Sequence, residues 1–258
     1  MGVGVAGLTL LPDRRPNSRR FAERAPDRAA VGADSAVLDV AAGTGALALT
    51  AVGRGHQKVT AIDRSPDMVQ RLRQRLGPFP GCSAEVMDAR ELRYPDHRFD
   101  AAFSVFGVLL LGADALTAVR ETVRVVRPGG LVSVVHRAGP VGGAPVFVPL
   151  ARAIQRLGDP EVGSLPLPVF SDFLEREEVE QVLVDAGCVD VQSEEVTEPF
   201  SLPTARSLNA FLRIIPQYNA AISRYKDEFT QILDQEISRL DLGERGAQGR
   251  IASGRVPE

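Results

Sequence analysis

Apolar and polar positions follow two alternating periods through the first half of the chain. Short apolar runs at 37–40, 58–62, 83–87, 99–104 and 131–135 have strand length, and Gly, Pro, Asp or Ser residues bound them. Between the runs the period changes to that of a helix. Residues 46–52 are apolar enough for a core helix, Met68, Val69, Leu72 and Leu76 form one stripe, and Leu116, Val119, Val123 and Val126 form another. Ser65-Pro66 supplies an N-cap and a first-turn proline for the second helix. Arg127-Pro128-Gly129-Gly130 is expected to stop the third helix and turn the chain into the strand at 131–135. Strand and helix in strict alternation predict an α/β fold with a doubly wound, mostly parallel sheet carrying helices on both faces.

The pattern changes after residue 136. A Gly/Pro loop covers 137–146, helical periodicity returns at 146–157, and a Pro-rich connector follows at 159–168. An amphipathic helix is expected at 172–186, a strand at 189–195, helices at 204–214 and 219–240, and a short last strand at 250–254. Residues 1–34 show weak helical patterning around 19–30 and little strand signal.

Composition narrows the class. At 258 residues, 44% hydrophobic and 24% charged, the chain has the material for one sizeable α/β core with an appendage. A net charge of -3 without a cluster of Lys/Arg and interleaved aromatics gives no reason to expect nucleic acid. No apolar run approaches the ~20 residues that span a bilayer. Residues 1–11 lack a basic start and a small-residue cleavage site, so a signal peptide is not expected. Cys82 and Cys188 form no metal or redox motif, which suits two separate thiols in a reducing cytoplasm, and no metal site is expected.

The chemistry concentrates where strands end. The run Val37-Leu38-Asp39-Val40-Ala41-Ala42-Gly43-Thr44-Gly45 is a strand leading into a tight small-residue turn, at the sheet edge where ligands of such folds bind. Gly43-Thr44-Gly45-Ala46-Leu47-Ala48 also fits the G-x-G-x-x-A dinucleotide fingerprint, with Asp63 near the required spacing, so an NAD(P)-dependent oxidoreductase is one reading. Asp39, Asp63 and Asp88 end three consecutive strands and should share one edge. Asp63 suits a pair of ribose hydroxyls. Asp88, with the Ala89 N–H, suits an adenine edge, and Asp39 can order the turn and face an ammonium group. So much negative charge favours a cationic ligand over a pyrophosphate.

These motifs resemble class I S-adenosylmethionine-dependent methyltransferases of the small-molecule type similar to the ubiquinone/menaquinone biosynthesis enzymes. The first motif of that superfamily matches Asp39-x-Ala41-x-Gly43-x-Gly45, with Ala41 in place of a glycine. The second matches Asp63-Arg64-Ser65-Pro66-Asp67-Met68, the third Asp88-Ala89, the fourth Phe99-Asp100 leading to Ser104, and the fifth Arg124 to Gly130. The resemblance implies a Rossmann-like seven-stranded sheet with a helical cover from the C-terminal half. It divides the chain into an N-terminal segment forming a partial cover (1–34), a cofactor-binding core (35–136), and substrate-pocket helices with the last strands of the same sheet (137–258). It implies S-adenosylmethionine as cofactor, S-adenosylhomocysteine as product, and Asp39, Ala41, Gly43, Gly45, Asp63, Arg64, Met68, Asp88, Ala89 and Ser104 as cofactor-binding residues. Phe21 is the one aromatic residue before position 37, which leaves the usual aromatic N-terminal lid thin; Arg64 stands where an apolar residue often covers adenine.

Ser104-Val105-Phe106-Gly107 lacks the Asn/Asp-Pro-Pro-aromatic signature of amino-group methylases, and neither cysteine follows a proline as in cytosine methylases. A small-molecule acceptor is therefore expected, methylated on O, N or C, and Phe147, Phe170, Phe173, Leu208, Phe211, Leu212 and Tyr218 can wall its pocket or simply pack a core. His136 ends the fifth strand on the ligand edge and is the candidate base, or else a hydrogen-bonding support of the next loop. A methyltransferase-fold protein that binds the cofactor without methylating, as a cyclase, isomerase or binding module, is the alternative. Monomer and homodimer both stay open.

Overall fold

The computed structural model describes residues 15–25, 31–138, 147–164, 175–199, 204–213, 216–225, 227–240 and 246–258. Seven strands form one sheet: β1 (Ala36–Val40), β2 (Lys58–Asp63), β3 (Ser83–Val86), β4 (Phe99–Val105), β5 (Val126–Arg137), β6 (Val189–Pro199) and β7 (Gly246–Arg255), in the order β3-β2-β1-β4-β5-β7-β6. β1 to β5 pair in parallel, and β7 pairs antiparallel to β5. The order reverses beside β1, which makes the carboxyl ends of β1 and β4 the crevice of the sheet.

The local reasons follow the sequence. β1 and β4 are near-continuous apolar runs because both faces of a parallel sheet are covered. Helix α2 (Ala46–Gly53) follows β1 and buries Leu47, Ala48 and Ala51. Helix α3 (Pro66–Leu76) starts as expected: the Ser65 hydroxyl accepts from the Met68 N–H at 3.4 Å, Pro66 occupies the first turn, and Met68, Val69, Leu72 and Leu76 are buried. Helix α4 (Ala115–Val125) buries Ala118, Val119 and Val123.

Two compact units emerge, neither continuous in sequence. The sheet unit comprises Ser18–Ala138, Asp172–Val196 and Gly249–Glu258; the helical unit comprises Met1–Asn17, Gly139–Ser171 and Thr197–Gln248. In the helical unit, α5 (Phe147–Leu157), α8 (Ala205–Arg213) and α10 (Glu228–Arg239) pack Leu150, Leu208, Leu212, Phe229 and Leu233 into a core of their own. Leu208 and Leu212, expected either in a pocket wall or in a core, lie in that core. Phe170 and Phe173 lie outside the described residues, as do the side chains of Phe147, Phe211 and Tyr218.

Several elements differ from the sequence pattern, α6 (Pro160–Gly163) in the expected connector and the longer β7 among them. β5 begins at Val126 rather than after the Pro-Gly-Gly turn, because Gly129 donates to the Val256 carbonyl at 2.9 Å and Val256 donates to Gly130 at 3.0 Å. The glycines make a bulge in the strand, with Gly129 at φ 69°, instead of a turn before it. The expected helix at 219–240 is broken into α9 (Pro216–Ile222), a 3-10 turn (Ser223–Tyr225) and α10. At the break the Tyr225 hydroxyl and Arg224 both turn to Asp159, which also caps helix α6 (Pro160–Gly163). A 3-10 segment at Val108–Asp114, unforeseen in the pattern, buries Val108 and Leu109 against the core.

Candidate functional site

The turn after β1 is held from both sides. The Ala42 N–H donates to the Ile62 carbonyl at 2.8 Å, and the Gly45 N–H to Ala42 at 2.8 Å. The backbone is left-handed at Ala41 (φ 56°), Gly43 (φ 55°) and Gly45 (φ 86°). Gly43 faces open space: a Cβ there would meet nothing within 4 Å. Gly45 is packed, since its Cβ would lie 2.3 Å from Leu72 Cδ1. One glycine therefore leaves room at the edge and the other lets the turn pack closely against α3.

Asp63 ends β2 beside this turn. Its Oδ2 accepts from the Gly43 N–H at 2.8 Å, and its Oδ1 from the Ser65 N–H at 2.9 Å. A carboxylate oxygen accepts two hydrogen bonds, so each retains capacity for a ligand hydroxyl. The carboxylate is thus fixed in orientation by the turn it is expected to serve.

Asp39 is 1% exposed, and its Oδ2 accepts from the Ala48 N–H at 2.9 Å. Burial raises its pKa from 3.8 to about 7; the Ala48 bond opposes the rise and the nearby Asp63 charge adds to it. The folded protein keeps this proton where the unfolded chain gives it up. Stability from this group is therefore full below about pH 4 and falls as pH rises to about 7, a change on the order of 4 kcal/mol. Asp39→Asn is expected to flatten this slope, so chemical-denaturation free energies of variant and native protein should lie nearest at about pH 4 and separate progressively in the variant's favour by pH 8. A constant difference across that range would contradict the buried proton.

Asp88 is not an open carboxylate. Arg90 Nε and Nη2 grip both its oxygens at 2.7–3.2 Å, while Arg90 Nη1 pairs with Asp114 at 2.7 Å. The Arg90 contacts hold the Asp88 carboxyl down at about 2. The edge is accordingly less negative than three strand-end acids suggest: Asp39 is only partly ionised near pH 7, Asp88 is paired with Arg90, and Asp63 carries the open acceptor positions. Arg90 was not singled out in the sequence; an arginine two residues after a strand-end acid was its only signal.

The remaining motif residues divide by exposure. Arg64 is exposed, whereas Met68 and Ala89 are each 8% exposed. Ser104 is 2% exposed and ties the crevice internally: its hydroxyl donates to the Val40 carbonyl at 2.8 Å and accepts from the Val108 N–H at 3.0 Å. Gly107 lies against the β1 turn, where a Cβ would stand 2.7 Å from the Ala41 Cβ and 3.1 Å from its carbonyl oxygen. Asp39, Ala41, Gly43, Gly45, Asp63 and Ser104 therefore converge on the β1–β4 crevice. His136 lies in β5 opposite Arg250 and is 0% exposed. No group of three or more His, Cys, Asp or Glu able to hold a metal occurs among the described residues.

This strand order, with an acid and a glycine turn at the end of β1 and a second acid at the end of β2, defines a Rossmann-like methyltransferase fold. Residues 37–130 match the family described as "Methyltransferase domain". An uncharacterized protein of Mycobacterium tuberculosis is 36% identical over 109 residues, 42% of this chain and 39% of that protein. The demethylmenaquinone methyltransferase of Chlamydia trachomatis is 31% identical over 134 residues, 52% of this chain and 57% of that protein. Among solved structures, the YcgJ protein of Bacillus subtilis aligns with a TM-score of 0.59 at 19% identity, covering 94% of this chain and 99% of that one. The chain thus spans 39% and 57% of the length of these two curated relatives.

Proposed function

We propose that the chain transfers a methyl group from S-adenosylmethionine to a small-molecule acceptor. The observation that carries this reading is the Gly43–Asp63 bond, which aims a strand-end carboxylate across an open glycine turn inside a matched methyltransferase domain. The residues present fit the cofactor: Gly43 leaves the turn clear, and Asp63 retains two acceptor positions for vicinal hydroxyls. When bound, S-adenosylmethionine supplies an electrophilic methyl on a sulfonium.

The protein's own work is placement. Asp63 fixes the nucleoside end, the left-handed turn at Ala41–Gly45 lets the backbone approach closely, and buried Asp39 holds the start of α2 in position. Arg64, Met68, Asp88 and Ala89 are proposed around the adenine, which requires Arg90 to share or release Asp88. Displacement at a methyl group needs an aligned acceptor and exclusion of water rather than a covalent intermediate. The lack of a Pro-Pro-aromatic sequence after Ser104 favours a small acceptor over a nucleobase. Among the described residues no helix is long and apolar enough to cross a membrane. Free Cys82 and Cys188 suit the cytoplasm, where we place the protein.

For an acceptor that must lose a proton, a hydroxyl or an acidic carbon, His136 is proposed as the base. Its complete burial requires the acceptor to be seated against the imidazole rather than reached through solvent. His136→Gln is expected to lower kcat for such acceptors about 10²-fold or more, with S-adenosylhomocysteine affinity retained. Unchanged turnover, followed as S-adenosylhomocysteine release, would remove His136 from the chemistry. The function itself is tested by calorimetry with S-adenosylhomocysteine, S-adenosylmethionine and NAD(P). Binding of the first two and not the third is expected; NAD(P) binding alone would replace the methyltransferase reading with the oxidoreductase one.

A further inference from the structure

Arg137 is the last residue of β5 and pairs across the ladder with Gly249 of β7. Residues directly opposite in an antiparallel pair present to the same face. On that face a Cβ at Gly249 would lie 2.4 Å from the Phe21 ring, so the ring sits close over the glycine backbone. Phe21 meets Phe106 edge-on with centroids 5.1 Å apart, and the Arg137 guanidinium carbon stands 5.8 Å from the Phe106 centroid. Phe21, Phe106 and Arg137 thus form one cluster at the carboxyl edge.

The cluster adjoins the cofactor turn. Phe106 precedes Gly107, which lies against Ala41. Phe106 (φ 53°) and Ala41 (φ 56°) are both left-handed without being glycine, and such strained positions gather at ligand sites.

Arg137 is partly buried, and this desolvation lowers its pKa. Its guanidinium has five N–H donors, yet no carboxylate or carbonyl among the described residues accepts from them. Other arginines of the sheet unit are provided for: Arg124 reaches Glu121, Asp96 and two carbonyls, and Arg250 reaches Glu195. The Phe106 face offsets part of the charge but accepts no directed N–H bond. A planar fork of donors held over an aromatic ring matches a carboxylate, which it can bind through two parallel bonds.

We propose that Arg137, stacked on Phe106, binds the carboxylate of a ligand at the carboxyl edge beside the Ala41–Gly45 turn. That carboxylate is supplied either by the methyl acceptor, which would then be an organic acid, or by the amino-acid end of the cofactor. The inference rests on the methyltransferase reading above.

The test compares the full chain with Arg137→Met, which keeps the stacked volume and removes the charge, and Arg137→Lys, which keeps the charge and removes the fork. S-adenosylhomocysteine and 5′-methylthioadenosine, which lacks the amino-acid end, are titrated by calorimetry. Thermal shifts of the S-adenosylhomocysteine complex are then read with benzoate and hexanoate against benzamide and hexanamide. If the cofactor supplies the carboxylate, Arg137→Met weakens S-adenosylhomocysteine about tenfold or more and leaves methylthioadenosine unchanged. If the acceptor supplies it, S-adenosylhomocysteine affinity holds, and the native complex gains stability from an acid but not its amide, a gain lost in Arg137→Met and reduced in Arg137→Lys. Equal behaviour of native and variant proteins toward every probe overturns the proposal. So does a thermal midpoint of ligand-free Arg137→Met well below the native one, because the guanidinium would then be structural. Absence of S-adenosylhomocysteine binding to the native protein instead fails the methyltransferase reading itself.

Discussion

Replacing Asp63 with alanine is expected to weaken S-adenosylhomocysteine binding about 10²- to 10³-fold. Asp63 accepts the Gly43 N–H through one oxygen and the Ser65 N–H through the other, which leaves one acceptor position on each for a vicinal diol. Hydrogen bonds to a charged acceptor contribute about 1.5–3 kcal/mol each. Loss of two, at about 1.4 kcal/mol per tenfold, sets the lower end of the range. Asp63→Ala also strands two N–H groups of the turn, so some stability goes with it; circular dichroism and a denaturation curve separate that from the binding loss. Asp63→Asn retains the shape but offers a donor where an acceptor is needed, and an intermediate loss is expected. Calorimetry with S-adenosylhomocysteine decides, and an unchanged dissociation constant in Asp63→Ala would remove this carboxylate from the site.

Positions along the chain proved easier to read than the partners of the groups placed there. A parallel strand must be apolar on both faces and must end where a turn begins, so Asp39, Asp63 and the glycines between them announce their shared edge directly. Charge state is different because it depends on neighbours. Asp88 looks open in a linear reading, but the loop after β3 curls Arg90 back onto it, and only the three-dimensional path of that loop shows the pair. Asp39 looks like a full charge, but burial raises its carboxyl pKa to about 7, so it is only partly ionised at neutral pH.

Long-range packing was equally hidden. Phe21 reads as a lone aromatic in a thin N-terminal segment. It becomes 1% exposed because β7, from the far end of the chain, places Gly249 beneath it and Phe106, just past the end of β4, lies beside it. The same strand explains β5. Proline and two glycines announce a turn locally, yet Val256 offers them ladder bonds, and the backbone takes a bulge within a longer strand. Local propensity yields wherever a distant partner satisfies the backbone.

The two glycines of the turn are expected to separate stability from ligand binding when each is replaced. At Gly45 the left-handed backbone costs a β-carbon about 1–2 kcal/mol. The added methyl also falls 2.3 Å from Leu72 Cδ1, and Leu72 is 0% exposed, so α3 must shift or Leu72 must leave its rotamer. Overpacking of that kind costs about 1–3 kcal/mol. Gly45→Ala should therefore lower the thermal midpoint by about 5–15 °C, given about 2–4 °C per kcal/mol for a chain of this size. Gly43 is also left-handed but faces open space, so Gly43→Ala bears only the conformational cost and the midpoint should move by a few degrees. That open space is the ground the cofactor needs. Gly43→Val, whose branches extend into it, should weaken S-adenosylhomocysteine about tenfold or more while the protein still melts cooperatively. Differential scanning fluorimetry and calorimetry on both variants supply the two readouts. If Gly43→Val binds as tightly as the native protein, the ligand does not approach the turn where Gly43 leaves it clear, and the close backbone approach that distinguishes this edge from an ordinary strand-to-helix connection is lost.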